Sequence, residues 1–548
     1  MTDIVPQRSV SIPRPSPWSI GAALIAVLVL LPIVAVIWLA LFPTENIWPH
    51  LISTTLPRYL GNTIVLMFSV GAIAAAMGAG AAWLVVMYQF PGRRWLQWAL
   101  LMPLAVPAYV GAYALVDFLE YAGPVQSLLR RAMGWQSARD YWFPEIRSMG
   151  AAVVVLSFAL YPYVYILARA ALREQSAAGY DVARALGTGP FGRLRRIALP
   201  LARPAIAAGA AVVMMETVND FGVVDYYAVQ TLTTGIFSVW YQTGNVGGAA
   251  QISGLVLAMV VFLVTMEKLG RRKARFFTTA RGQRPITPQA VSGWRSWAIA
   301  ALCALPVLGG FVLPVGVIGA QALNASEWVA PGLGRALMHT LVTGGLAALL
   351  TVSGALFMVY GVRLSGRRLP QLLMPVTAIG YAAPGAVLGL GLLIPLAAFD
   401  NQVADVVVSL GLNDPGLILT GSAAAVVLSY CVRFFGIAQG AVDGALGRIS
   451  PSLPMAARSL GQNATQTLAR VHVPMVRASV ASTLLLVFID CVKELPATLM
   501  LRPFGYNTLA TRVHEKASLE DLAGAAPAAL VICGVGLIAV TLLARKMR

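Results

Sequence analysis

Four acidic residues stand inside long apolar stretches: Glu216, Asp220, Asp490 and Glu494. An ionised carboxylate near the centre of a bilayer costs about 2.5 to 3.5 kcal/mol on insertion scales, so such residues usually face a polar interior or a partner charge. Glu216 and Asp220 are four residues apart, as are Asp490 and Glu494, and on continuous helices each pair would share one face. Carboxylates are hard oxygen groups suited to a hard metal ion or a chelate of it. The four acids are therefore the candidate lining of a cation path, acting by electrostatic guidance or gating rather than by tight ligation, which would slow release. The structural alternative stands beside it: Lys493 is three residues from Asp490 and Arg502 is near, so these acids could be ion-paired glue between helices. Other chemistry is poorly supplied. His50, His339, His472 and His514 are scattered without metal-ligand spacing, and Cys303, Cys431, Cys491 and Cys533 lie in apolar runs without a CxxC. No metal ligand set can be assigned, and no nucleophile, base and orienting group stand at readable spacing, so there are no catalytic candidates.

The elements that must position these acids are membrane spans. Of 548 residues, 58% are hydrophobic and 11% charged, which excludes a water-soluble domain. A spanning helix needs about 20 apolar residues. Runs of that length fall at 17–42, 61–88, 95–119, 149–170, 203–228, 250–267, 296–322, 337–361, 370–397, 417–438, 477–500 and 522–544, giving an all-α membrane protein of about twelve helices. The first run has no small-x-small cleavage site after it and reads as a retained span. With twelve spans, 30 of the 40 Lys and Arg fall on the side that holds both termini, which the positive-inside rule makes cytoplasmic. The net charge of +18 is then topology, and no nucleic-acid partner is needed to explain it.

An internal repeat appears at an offset of 274 residues. Gly92-Arg93-Arg94 recurs as Gly366-Arg367-Arg368, DVARALGTGPFGRLRRIALP (181–200) recurs as MAARSLGQNATQTLARVHVP (455–474), and Glu216 and Asp220 align with Asp490 and Glu494. The chain divides into a first six-span unit (1–266) with a loop at 174–203, a basic linker (267–295) and a second six-span unit (296–548) with a loop at 440–477. In each loop an Ala-rich helix should stop at a glycine, Gly187 or Gly461, which can take the left-handed conformation. A second short helix (190–197, 464–471) should follow, presenting arginines beside an apolar stripe to a partner or to anionic lipid.

Both loops resemble the EAA signature of the membrane subunits of ATP-binding-cassette (ABC) importers: EAA, three residues, Gly, nine residues, Ile, one residue, Leu-Pro. Asp181, Ala183, Gly187, Ile197, Leu199 and Pro200 fill it in the first copy, and Ala456, Ala457, Gly461, Val471, Val473 and Pro474 in the second. The departures are Asp181 and Val182 for Glu and Ala in copy one, and Met455 for Glu in copy two. The stretches 216–244 (ETVNDFGVVDYY, then LTTGIFSVWYQTG) and 493–515 (KELPATLMLRPFGYNTLATRVHE) narrow the resemblance to the fused iron(III) permeases of that group.

The resemblance implies two tandem permease units related by pseudo-twofold symmetry in a cytoplasmic (inner) membrane. It also implies an ATPase subunit, in two copies, docked on the two loops, and an extracytoplasmic protein that delivers iron(III) or a ferric chelate. Thiamine, polyamine, and sulfate or molybdate importers share the loop pattern and remain alternatives. None of the five lysines (Lys268, Lys273, Lys493, Lys516, Lys546) follows a glycine, so the chain has no P-loop; ATP and Mg belong to the partner. A proton-coupled secondary transporter of two six-span halves is the rival from another class. Against it, the short 89–94 loop lacks the acidic pattern of that family, and the duplicated glycine-proline loops would have no role.

Overall fold

Apolar segments of this length leave their backbone amides no partner in lipid except their own helix, and helices make up nearly all of the fold. The computed structural model describes residues 17–43, 45–272, 286–323, 326–365, 368–377, 380 and 383–546. Among them, 11 helices are long and apolar enough to cross a membrane, or up to 12 when one bent pair is counted as a single span. The first half runs α1 (Pro17–Leu41), α2 (Leu56–Met87), α3 (Arg93–Ala99), α4 (Ala108–Leu119), α5 (Met149–Arg173), α6 (Leu199–Asn219), α7 (Leu232–Thr243) and α8 (Val246–Arg272). The second half runs α9 (Trp294–Val307), α10 (Leu313–Leu323), α11 (Pro331–Ser365), α12 (Gly385–Ser409), α13 (Ala423–Leu446), α14 (Val473–Lys493), α15 (Leu509–Ser518) and α16 (Leu522–Lys546).

The halves share local devices as well as helix order. The Thr63 hydroxyl accepts the Leu232 N–H at 2.9 Å, and Thr340 accepts that of Leu509 at 2.8 Å. Reciprocal capping boxes, Thr231 with Thr234 and Thr508 with Thr511, start α7 and α15. Each half also reaches into the other: Trp18 of α1 stacks on Phe357 of α11 with ring centroids 4.6 Å apart, while a Cβ on Gly309, beyond α9, would meet the Phe158 ring of α5 at 2.8 Å. The described part of the linker returns as a two-residue strand, Gln289–Ala290, paired in parallel with Tyr88–Gln89. Most of the basic linker, together with Gly366 and Arg367 of the repeated Gly-Arg-Arg, lies outside the described residues.

Several expected spans are broken. The run 95–119 is two helical segments, Arg93–Ala105 and Ala108–Met133, bent by 94°. Pro107 biases Val106 toward extended backbone (φ −97°, ψ 119°), and the helix cannot pass through. The run 370–397 is likewise divided, into Arg368–Thr377 and α12. The runs 203–228 and 477–500 stop at Asn219 and Lys493, so Asp220 and Glu494 are not on the helices that carry Glu216 and Asp490. The expected shared face of each acid pair is therefore absent. The separate short helices expected at 190–197 and 464–471 are also not separate: each runs through a π turn, Leu194–Ala198 or Leu468–His472, into α6 or α14. The N–H of Leu199 reaches back to the Leu194 carbonyl and that of Val473 to Leu468, each just before a proline that can donate nothing.

Candidate functional site

The two helix breaks face one cavity. Pro496 has no N–H with which to extend α14 and instead opens the short helix Pro496–Leu501. Gly222 opens the corresponding helix Gly222–Tyr226 in the first half. A Cβ there would stand 2.7 Å from the Tyr109 side chain and 3.2 Å from that of Leu495 in the other half, so these side chains pack this closely only against a glycine. The displaced acids become caps. Asp220 Oδ1 accepts the N–H groups of Val223 at 3.0 Å and Val224 at 3.2 Å, and the Glu494 carboxylate accepts those of Ala497 and Thr498, both at 3.3 Å.

Between the breaks lies a cavity of about 180 Å³ whose walls include all four acids singled out above, with Arg433 and Lys493. The halves differ in charge. Arg433 of α13 donates to Glu494 at 2.8 Å, Glu494 being fully buried. Lys493 lies 3.7 Å from Asp490 and donates to the Leu104 carbonyl of the first half at 3.1 Å, a strut across the pseudo-twofold axis. The first half brings Glu216 and Asp220 to the same wall and no basic side chain. Among the described residues no group of three or more His, Cys, Asp or Glu is arranged to hold a metal ion, and the arrangement suits long-range electrostatics rather than a coordination cage. Arg433 and Phe221 were missed in the sequence. Arg433 sits near the inner end of its run, where a basic residue is ordinarily a snorkelling one, although a charge inside a span was itself a signal. Phe221 lines this cavity and also a second pocket of about 690 Å³ beyond the breaks, which holds Asp225, Arg502 and His514. Burial pushes the His514 imidazole down to about 4, so it is neutral beside Asp225 and within 3.1 Å of the Tyr113 hydroxyl.

The repeated loops form a second constellation, away from the cavity. The helix Ala177–Ala185 ends with Gly187 at φ 73°, whose N–H bonds to Arg184 while that of Thr188 bonds to Ala183. Ser452–Ser459 ends the same way, with Gly461 at φ 80° and bonds from Gly461 to Arg458 and from Gln462 to Ala457. Both are Schellman turns. Ala183 and Ala457 are buried under them, and Asp181, Leu199, Pro200, Ala456, Val473 and Pro474 are exposed, with Ile197 and Val471 partly so. Each turn thrusts out a leucine in equivalent position, Leu186 and Leu460, 78% and 82% exposed.

Residues 69–275 match the family described as "Binding-protein-dependent transport system inner membrane component". An Fe(3+)-transport system permease of Haemophilus influenzae is 26% identical over 86% of this chain and 87% of its own length. Along most of its length the chain resembles the membrane permeases of ABC importers. It resembles the fused ferric permeases, among them one from Actinobacillus pleuropneumoniae, 22% identical over 81% of the chain and 64% of that relative. A molybdenum transport system permease of Escherichia coli, 26% identical, covers 39% of this chain with 96% of its own length, the proportion expected of one half. The 11 or 12 membrane-crossing helices among the described residues fit a multi-pass membrane component of that kind.

Proposed function

We propose that this permease forms the translocation path for iron(III) or a ferric chelate, delivered by an extracytoplasmic binding protein and driven by a separate ATPase. The observation that carries the reading is the convergence of Glu216, Asp220, Asp490 and Glu494 on one cavity where the two halves meet. Two ATPase copies dock on the loops at 174–203 and 440–477, with Leu186 and Leu460 as apolar knobs on the docking faces. Both termini face the cytoplasm, and the units 1–266 and 296–548 flank the linker. The similarity to ferric permeases along most of the chain supports iron as the cargo.

The cavity favours one other reading. Arg433 and Lys493 would suit an oxyanion, and sulfate and molybdenum permeases are among the relatives. Both cations are already satisfied by Glu494 and Asp490, which keeps the cation reading first. Uptake into proteoliposomes containing this chain, its ATPase and its binding protein tests the proposal, with radiolabelled iron against sulfate, molybdate, thiamine and spermidine. ATP-dependent iron accumulation is the expected result; ATP-dependent accumulation of one of the others would replace the cargo.

A further inference from the structure

Three arginines gather without an acid at the loop end of the first half. Arg93 opens α3, and Arg169 and Arg173 lie on the last two turns of α5. Arg169 is 3% exposed. It donates a hydrogen bond to Gln97 Oε1 at 3.2 Å, and its guanidinium stands 5.1 Å from the Trp98 ring. Arg93 donates Nε to the Val85 carbonyl at 2.7 Å, and the charges of both Arg169 and Arg173 bear on it. Among the described residues, no carboxylate stands within ion-pair distance of any of the three.

The second half shows the contrast. The residue 274 positions beyond Arg169 is Asp443, and it holds Arg363 at 2.7 Å. One copy of the repeat thus balances its charge internally while the other concentrates positive charge at the same helix end. The Arg169 guanidinium, buried beside one neutral acceptor and no carboxylate, carries a charge that a counter-ion from outside the chain would compensate. Arginine forks suit an anion with several oxygens, and three of them suit phosphate. Trp98 and the largely exposed Trp95 place the cluster at the depth where aromatic side chains mark the lipid headgroups.

We propose that Arg93, Arg169 and Arg173, with Gln97 and Trp98, form a binding site for a phosphate group, carried either by an anionic phospholipid of the adjacent leaflet or by a soluble phosphate compound. An occupied site would tie α3 to the end of α5, where the 174–203 loop begins, and so brace one loop and not the other.

The full-length permease, purified in a neutral maltoside detergent, is titrated with short-chain phosphatidylglycerol, with phosphatidylcholine and with inorganic phosphate while the thermal midpoint is followed. Phosphatidylglycerol, inorganic phosphate or both should raise the midpoint by several degrees, and phosphatidylcholine should not. A response to the lipid alone assigns a headgroup; a response to inorganic phosphate assigns a soluble compound. Arg169→Gln should weaken the response about tenfold or more, the loss of one or two charge-assisted hydrogen bonds. Without any anion, Arg169→Gln should unfold at or above the wild-type temperature, because an uncompensated buried charge is gone. Arg94→Gln, an exposed neighbour, should respond as wild type. The proposal is overturned by a response to neither anion, by an equal response in Arg169→Gln, or by an anion-free Arg169→Gln midpoint several degrees below wild type.

Discussion

At the residue scale, the four cavity acids do two different jobs, and substitutions should separate them. Glu494 is the buried partner of Arg433 and also caps the Pro496–Leu501 helix. Glu494→Gln leaves a nearly buried guanidinium without its counter-charge, so it should destabilise by about 3 to 5 kcal/mol, read as a fall in the thermal midpoint of the purified chain. Adding Arg433→Gln should recover much of that loss, whereas an Arg433→Gln change that fails to rescue would show that the cap, not the ion pair, dominates. Glu216 and Asp490 lie on intact helix and are the cleaner functional test. Replacing both with glutamine should cut iron uptake at least several-fold while ATPase binding and folding persist, because the cavity then loses two negative charges in a medium of low dielectric. Wild-type uptake kinetics in that double variant would return these two acids to a structural role.

At the element scale, the loops were legible in the sequence and the helix breaks were not. Gly187 and Gly461 announce a left-handed stop after an Ala-rich helix, and that stop is what forms. Apolar run lengths located most spans, but hydropathy does not register where a helix ends when the following residues are equally apolar. Asp220 and Glu494 therefore read as the next turn of α6 and α14, although Pro496 in one copy marked the break and Gly222 in the other did not. The π turns before Pro200 and Pro474 were equally hidden, since a proline in the first turn of a helix is ordinary. The stop glycines have a testable property: a Cβ at either position meets nothing within 4 Å, so only backbone conformation demands glycine. Gly187→Val should strain the turn by about 1 to 2 kcal/mol and uncouple ATP hydrolysis from uptake, while Gly187→Asn, which tolerates the left-handed region, should retain most transport. Equal uptake by both variants would detach the turn from coupling.

At the scale of the whole molecule, the two halves share helix order and local devices and differ in charge. The molybdenum permease aligns along 96% of its own length with 39% of this chain, about the extent of one half. The linker between the halves adds a contact of its own. Its strand Gln289–Ala290 pairs with Tyr88–Gln89, and the Gln289 side chain stands against Arg184 and Arg193 of the first loop. Among the described residues no such strap reaches the second loop, so the two loops, alike in backbone, are held differently. Two co-expressed chains, 1–276 and 277–548, keep the strap and should assemble with most of the uptake of the intact protein. Deleting 286–290 from the second fragment removes the pairing and frees Arg184 and Arg193, and uptake should fall several-fold while co-purification of the fragments persists, because Trp18 on Phe357 and Lys493 on Leu104 still join them. If the fragments assemble and transport equally with and without 286–290, the strap is a passive tether, and the asymmetry that matters lies in the charges around the central cavity and at the end of α5.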